Sequence, residues 1–242
     1  MGKLLFVNTN RTNGISGIVI CGVLIAFGIW ALLDGGYYSV LGILLILLGI
    51  AGVKFFLKIT TQKTEIYEQG FISKNMFGSV SGRYTDLKSI VCGAVTYNGV
   101  LNTSIHLVTN SGGKVTVSNE KFLKNDDKMD LLLQCASGAL AEVWAKKLES
   151  QTEVVWLMNG STPQVKIRKE GLCVDGKAGM EIFIPFGEIQ FKPGFALQIQ
   201  LLNGAGKVAT LNSDAANYYV GLALIARLID HQQRSMAATT RS

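Results

Sequence analysis

Two stretches near the N-terminus decide the fold: residues 15–33, ISGIVICGVLIAFGIWALL, and residues 37–56, YYSVLGILLILLGIAGVKFF. The first holds no charge and the second only Lys54. Each is 19 or 20 residues long, and at 1.5 Å per residue that matches the roughly 30 Å hydrocarbon thickness of a bilayer. Backbone groups in lipid must bond internally, so both stretches are expected to be α-helical. Only Asp34, Gly35 and Gly36 lie between them, enough for a sharp turn. The expectation is a transmembrane helical hairpin within residues 1–59, with spans at 15–33 and 37–57.

Other readings fit less well. A secretory signal would account for the first run, with Lys3 and Arg11 as its basic region, but no small-residue cleavage pattern follows Leu33 and a second apolar run begins at once. A buried soluble helix pair would carry polar stripes, and neither run has one. A hairpin that dips into one leaflet and returns would not need near-full span lengths. Lys3 and Arg11 precede the hairpin, Lys54, Lys58 and Lys63 follow it, and the connecting loop holds no Lys or Arg. The positive-inside rule then places both termini in the cytoplasm of a multi-pass cell-membrane protein, with Trp30, Tyr37 and Tyr38 at the opposite interface. On that topology the glycosylation patterns at Asn102 and Asn159 are never glycosylated, and the cysteines stay reduced.

Composition agrees with an anchored globule. The chain has 242 residues, 48% of them apolar and 17% charged, with four cysteines, two histidines and a net charge of +6. Charge lies below the soluble average of about 25%. Disorder and a disulfide scaffold are excluded, since hydrophobicity is high and the cysteines are few and scattered. Residues 60–242 carry 19 basic and 16 acidic residues, without the basic stripe of a nucleic-acid binder.

After the hairpin, one pattern is used twice. Residues 65–72, EIYEQGFI, match residues 166–173, KIRKEGLC, as a strand, a glycine and an apolar strand start. Next, Tyr84-Thr85-Asp86-Leu87 matches Phe186-Gly187-Glu188-Ile189. The run 105–108 leading into Ser111-Gly112-Gly113-Lys114 matches 199–202 leading into Gly204-Ala205-Gly206-Lys207. Each copy then closes with a helix, and four matches in one order point to a duplication. Ile105, Leu107, Val115 and Val117 are expected to face one side of a sheet, with His106, Thr109 and Thr116 between them. Asn98-Gly99 is a two-residue hairpin signal. Asn125, Asp126 and Asp127 offer caps for a helix whose stripe is Met129, Leu132, Leu133, Ala136, Leu140, Val143 and Lys147. Asn212, Ser213 and Asp214 do the same before Tyr219, Leu222, Ala223, Ala226 and Ile229. Residues 121–130 read as a solvated helix entry.

Strands followed by one amphipathic helix, used twice, resemble tandem pleckstrin-homology-like (PH-like) domains. Tyr67, Gly70, Phe71, Tyr84, Asp86 and Leu87, with Gly171, Leu172, Ile184, Pro185, Phe186, Glu188 and Ile189, are similar to membrane-anchored bacterial PH-like proteins of uncharacterised function. The resemblance implies an α+β fold: two units, each a curved antiparallel sheet closed by a C-terminal helix, at 60–150 and 151–233, with a polar tail at 234–242. Some PH domains grip phosphoinositides with a basic cluster in the first strand loop. The equivalent stretches here, 74–83 and 175–181, hold two basic residues and one.

Catalytic chemistry finds little to stand on. His106 faces away from Ile105 and Leu107 and reads as solvated or partner-facing. His231 is placed at the end of the last helix, where a cation suits the dipole. Cys92, Cys135 and Cys173 read as small buried residues, and no Cys-x-x-Cys pair marks a metal site. No cofactor is expected. Gly204 to Lys207 lacks the spacing and the Ser or Thr of a phosphate loop.

The expected function is a non-enzymatic membrane adaptor or scaffold binding protein or lipid at the cytoplasmic face. Its expected partners are membrane lipids through the hairpin, together with a further protein or a second copy of the chain, and no nucleic acid. Lys54, Lys58, Lys63, Lys74 and Arg83 are its candidate membrane-surface residues, each cation near anionic lipid contributing about 1 kcal/mol. The same lysines are also what an ordinary cytoplasmic boundary carries. Gly17, Gly22, Gly28, Gly42, Gly49 and Gly52 suit either self-association or packing within the hairpin. The alternative is a membrane-bound enzyme with a site between the two units, drawing on Cys92, His106 or Asp86.

Overall fold

A computed structural model describes all residues except 10, 98–99, 119–126, 160–161, 176–180, 194–197, 204–205, 213 and 240–242. Strand β1 (Leu4–Thr9) leads into helices α1 (Arg11–Asp34) and α2 (Ser39–Thr60). Strands β2 (Lys63–Tyr67), β3 (Gly70–Asn75) and β4 (Gly78–Arg83) follow, then a 3-10 turn at Tyr84–Asp86. Next come β5 (Leu87–Tyr97), β6 (Val100–Thr109), β7 (Lys114–Ser118) and α3 (Asp127–Ser150). The remainder is β8 (Val154–Asn159), β9 (Thr162–Ile167), β10 (Gly171–Asp175), β11 (Glu181–Pro185), a 3-10 turn at Phe186–Glu188, β12 (Gln190–Pro193), β13 (Gln198–Asn203), β14 (Gly206–Asn212) and α4 (Tyr218–Thr239). The strands form four antiparallel sheets, ordered β1-β2-β3-β4, β5-β6-β7, β11-β10-β9-β8 and β12-β13-β14. A four-stranded sheet, a 3-10 turn, a three-stranded sheet and a helix thus occur in that order twice.

By compactness the chain forms two units. One comprises Lys3–Tyr67 and Phe71–Ser81, the other Met1–Gly2, Glu68–Gly70 and Gly82–Ser242.

In the first unit, α1 and α2 are both long and apolar enough to cross a membrane. Helix α1 begins ahead of its apolar stretch, so Arg11 is its first residue rather than a flanking one, and α2 continues past its own stretch to Thr60. Their contact is lined by glycine. A Cβ on Gly28 would meet Ile46 Cγ1 at 2.7 Å and the Gly42 carbonyl oxygen at 2.8 Å, and one on Gly42 would meet the Gly28 carbonyl oxygen at 2.7 Å. Gly17, Gly49 and Gly52 likewise face Phe56, Ile25 and Cys21 on the opposite helix, whereas nothing stands near Gly22. All but one of these glycines therefore serve packing within the hairpin. Val19, Phe27, Leu33, Val40 and Leu47 point outward and are exposed.

The hairpin does not simply precede the sheet. Strand β1 pairs with β2, Phe6 opposite Ile66 and Thr9 opposite Lys63, so both helices rise between two neighbouring strands. The folded region therefore begins ahead of the hairpin rather than at residue 60. A six-residue strand whose partner lies beyond two helices leaves no local signal. Phe6, Ile66 and Phe71 form the buried apolar positions of this sheet, beside a buried hydroxyl pair, Thr64 Oγ1 and Ser73 Oγ at 2.9 Å.

In the second unit, Ile105, Leu107, Val115 and Val117 are buried on one face, as the alternation requires. Thr109 shares that face rather than lying between these residues; its Oγ1 is satisfied by Ser111 Oγ and the Gly113 N–H, both at 2.9 Å. The repeated turns match in detail: the Tyr84 N–H donates to the Gln69 carbonyl and the Phe186 N–H to the Glu170 carbonyl, each at 3.1 Å. Asn98-Gly99 lies outside the described residues, between the paired Tyr97 and Val100. Also outside them are Gly204, Ala205, Asn125, Asp126 and most of the expected helix entry. Asp127 and Asp130 occupy the first turn of α3, where negative charge suits the dipole.

Both helix stripes are rotated from expectation. On α3 the buried face runs through Met129, Leu132, Ala136, Leu140, Trp144 and Leu148, while Lys147 is exposed. On α4, Tyr218, Val220, Leu224 and Ile225 are buried and Ala226 is exposed. The first turns of α4 are apolar nearly all round, so periodicity leaves the phase open and docking selects it. Trp156 on β8 does the selecting: its Nε1–H donates to the carbonyls of Asn217 (3.0 Å) and Tyr218 (3.1 Å). Helix α4 also starts later than expected, since Asn212 ends β14 and Asn217 precedes the first turn. Asn217, at φ 62°, donates its N–H to the Ile90 carbonyl at 2.7 Å and accepts from the Ile90 N–H through Oδ1 at 2.9 Å. The last helix is therefore fastened to β5 as well as to β8. It continues to Thr239, into the residues expected to form a polar tail.

A branched side chain at Gly42 has no room, and overpacking of this kind costs about 1–3 kcal/mol. Gly42→Val should lower the unfolding midpoint of the full chain in detergent, followed by helix circular dichroism, while Gly22→Val leaves it unchanged. The Tyr218 hydroxyl is buried with no hydrogen-bond partner among the described residues, and an unmet polar group costs about 1–3 kcal/mol. Tyr218→Phe should keep or raise the same midpoint.

Candidate functional site

The five candidate basic residues fall into distinct settings. Lys54 and Lys58 are exposed, one turn apart on the last stretch of α2. The Lys54 Nζ lies 6.0 Å from the centre of the Phe77 ring, at the limit of a cation–π contact. Lys63, at the start of β2, is 2.8 Å from Glu65 Oε1, and Tyr67 OH donates to Glu65 Oε2 at 3.0 Å. Lys63 and Tyr67 together hold the Glu65 carboxyl below its ordinary range, with the Lys74 charge adding to the effect. Lys63 is raised in turn by Glu65. Its charge is thus already answered within the protein. Lys74 is exposed on β3, and Arg83 is exposed at the end of β4 but belongs to the second compact unit. The structure brings Lys54 and Lys58 together, and sets Lys63 and Lys74 around Glu65.

Sequence reasoning missed the residues beside this cluster. Met76 and Phe77 form the β3–β4 turn, and the Met76 N–H donates to Thr61 Oγ1, at the C-cap of α2, at 3.2 Å. Two large apolar residues between strands carried the only signal.

The catalytic candidates are not assembled. Cys92 stands opposite Ile105, whose side chain is buried, while His106 stands opposite Val91. Side chains alternate along a strand, so the Cys92 thiol and the His106 imidazole occupy opposite faces of the sheet. His106 Nδ1 is 2.9 Å from Thr116 Oγ1 and its Nε2 is 3.4 Å from Ser104 Oγ. Asp86 is exposed in the 3-10 turn. All four cysteines are free; Cys21 and Cys173 are buried, but Cys92 and Cys135 only half so. Burial pushes the thiols of Cys92, Cys135 and Cys173 up, the opposite of an activated nucleophile. Among the described residues no three His, Cys, Asp or Glu gather as a metal set.

Two surfaces remain on the second unit. A groove between α3 and α4 has Ala145, Leu148 and Leu228 along it, with Lys146, Arg227 and His231 around them. Arg227 Nη1 bonds Glu142 Oε1 at 3.1 Å across the groove. His231 thus faces a groove well before the helix end at Thr239, and not the final turn. On the other surface, Arg168 Nη2 is 2.9 Å from both Glu153 and Glu181, and Lys166 Nζ is 3.1 Å from Glu181. This network crosses to β11, an edge strand of its sheet among the described residues. Beside it, Ile182 and Phe183 are exposed.

Burial, then the charge of Lys114, moves the His106 pKa down from 6.5. A base depressed by folding stabilises the fold above its unfolded pKa, and that contribution is lost as pH falls through the folded value. Unfolding midpoints measured between about pH 7 and 5 should fall in the parent chain and fall less in His106→Asn.

No family model matches the chain, and no curated protein matches it.

Proposed function

We propose that the chain is a non-enzymatic integral membrane adaptor: a helical hairpin that crosses the bilayer twice and presents tandem PH-like units at the cytoplasmic face. The observation that carries the proposal is the pairing of β1 with β2 across the hairpin. Helices that leave and return to adjacent strands must enter and exit the bilayer on one side, and the sheet is then held at that surface. Outward side chains such as Leu33 and Val40 suit lipid and would be an aggregation hazard in water. Lys3, Arg11, Lys54, Lys58 and Lys63 favour the sheet side as cytoplasmic.

The element order that occurs twice, with matching bonds at Tyr84 and Phe186, supports the reading of two tandem units. Under it, the hairpin is an insertion between the first two strands of the first unit. Binding surfaces support an adaptor better than a reaction does. Strand β11 is an edge strand among the described residues and exposes Ile182 and Phe183, the geometry in which an extended segment of a partner adds as a strand. The separation of Cys92 from His106 removes the dyad that an enzyme reading would use.

The topology is tested with reporters in cells. A fluorescent protein at the C-terminus should fold and fluoresce, and a phosphatase placed at Gly35 should be active, because each reporter works on one side only. The reverse pattern overturns the proposal. The adaptor reading is tested at β11. Phe183→Glu should remove the partner, or the second copy, retained by the full chain in mild detergent, with helix content unchanged by circular dichroism. Identical complexes from parent and variant would rule that edge out.

A further inference from the structure

The turn between β3 and β4 has ordinary turn residues, Asn75 and Gly78, at its flanks but two large apolar ones at its tip. Asn, Asp, Gly and Ser are the usual choices at such tips, yet here Met76 and Phe77 stand 59% and 51% exposed. The turn is held firmly. The Phe77 N–H donates to Asn75 Oδ1 at 2.8 Å, and the Met76 N–H donates to Thr61 Oγ1 at 3.2 Å. Thr61 caps α2, so the second bond ties the tip to the end of the helix. The Phe77 ring lies 6.0 Å from Lys54 Nζ. Lys54 is the first charged residue that α2 carries, and the helix ends at Thr60. The tip is therefore bound at the end of α2, with its ring near a side chain from the last two turns of the helix. Apolar side chains at such a level enter the boundary between headgroups and acyl chains, about 5–10 Å deep.

We infer that Met76 and Phe77 form an interfacial wedge: the β3–β4 tip inserts both side chains into the leaflet beside α2, with Lys54 and Lys58 facing anionic headgroups. The inference rests on the reading of α1 and α2 as membrane spans. Its occupant is lipid because the tip is continuous with the exposed apolar surface of α2, where Phe55 also faces outward, and because the adjoining charges are cationic. A sheet carried on a hairpin alone could tilt about the two connections at Thr9 and Lys63. A third point of attachment at the tip sets the sheet at a fixed angle to the bilayer.

The test uses Phe77→Trp in the full chain, reconstituted into vesicles of phosphatidylcholine and phosphatidylglycerol. Acyl chains are brominated either near the headgroup or near the bilayer centre, so that tryptophan quenching reads depth. Native Trp30, outward on α1, reports the spans, while Trp144 and Trp156 are buried in the other unit and give a constant background. The emission added by the F77W substitution should be blue-shifted and lose more than about half its intensity to the shallow bromines, less to the deep ones. Trp30 quenched with the added emission red-shifted and unquenched would overturn the wedge and leave the spans standing. Added emission that is blue-shifted yet unquenched would assign the tip to a protein contact and equally overturn it. Loss of quenching at Trp30 as well would overturn the spans and the wedge together. Met76→Trp repeats the measurement one residue away, so that a local packing fault in one variant does not decide the outcome.

Discussion

The hairpin unit depends on one set of backbone hydrogen bonds, those between β1 and β2. A single strand is not stable in water, and two helices in lipid impose no orientation on the sheet that follows. Pairing Leu4–Thr9 with Lys63–Tyr67 solves both problems at once. It closes the chain on either side of the hairpin and brings the outer ends of the two helices together. The short connection at Gly35 and Gly36 does the same at the other end. Glycine lines the helix contact in both places, Gly17 against Phe56 near the strands and Gly28 against Gly42 near the turn.

A comparable constraint works in the second unit through Trp156 and Asn217. The indole donates to two carbonyls at the start of α4, and Asn217 joins the same segment to Ile90. A residue at φ 62° ordinarily costs backbone energy, and asparagine is among the residues that bear it most easily. The two bonds to Ile90 offset that cost. Their effect is to bind the last helix to strands on both sides of α3 in the sequence, which helps make residues 82–242 one compact body.

Charge is handled differently at each surface. Around Glu65 and around Glu181 the cations and carboxylates satisfy each other, and both carboxyls are held below their ordinary range. Such exposed networks fix strand geometry more than they stabilise, since surface pairs contribute little singly. At the end of α2, Lys54 and Lys58 are left facing outward beside an apolar turn. This contrast singles out the exit of the hairpin from the other charged surfaces.

The sequence alone determined the hairpin, because two mainly apolar stretches of 19 and 20 residues hold a single charge between them, Lys54, and Asp34-Gly35-Gly36 leaves room only for a turn. It also determined the alternation on β6 and β7, and the doubled order of strand, glycine and aromatic–acid turn, all of which depend on near neighbours. Tertiary structure decided what depends on distant ones. Strand β1 has its partner beyond two helices, so no window of sequence contains the pair. The buried face of α4 is set by its docking on Trp156, since the apolar first turns of that helix offer several stripes, and the buried face of α3 takes in Trp144 and Leu148 rather than Lys147. Lys63 carries the sequence signature of a free boundary cation, yet it answers Glu65 on the same face of its strand. Met76 and Phe77 are an unusual apolar pair for a turn, but only the fold places them against Thr61 and Lys54, where that pair acquires a surface to meet.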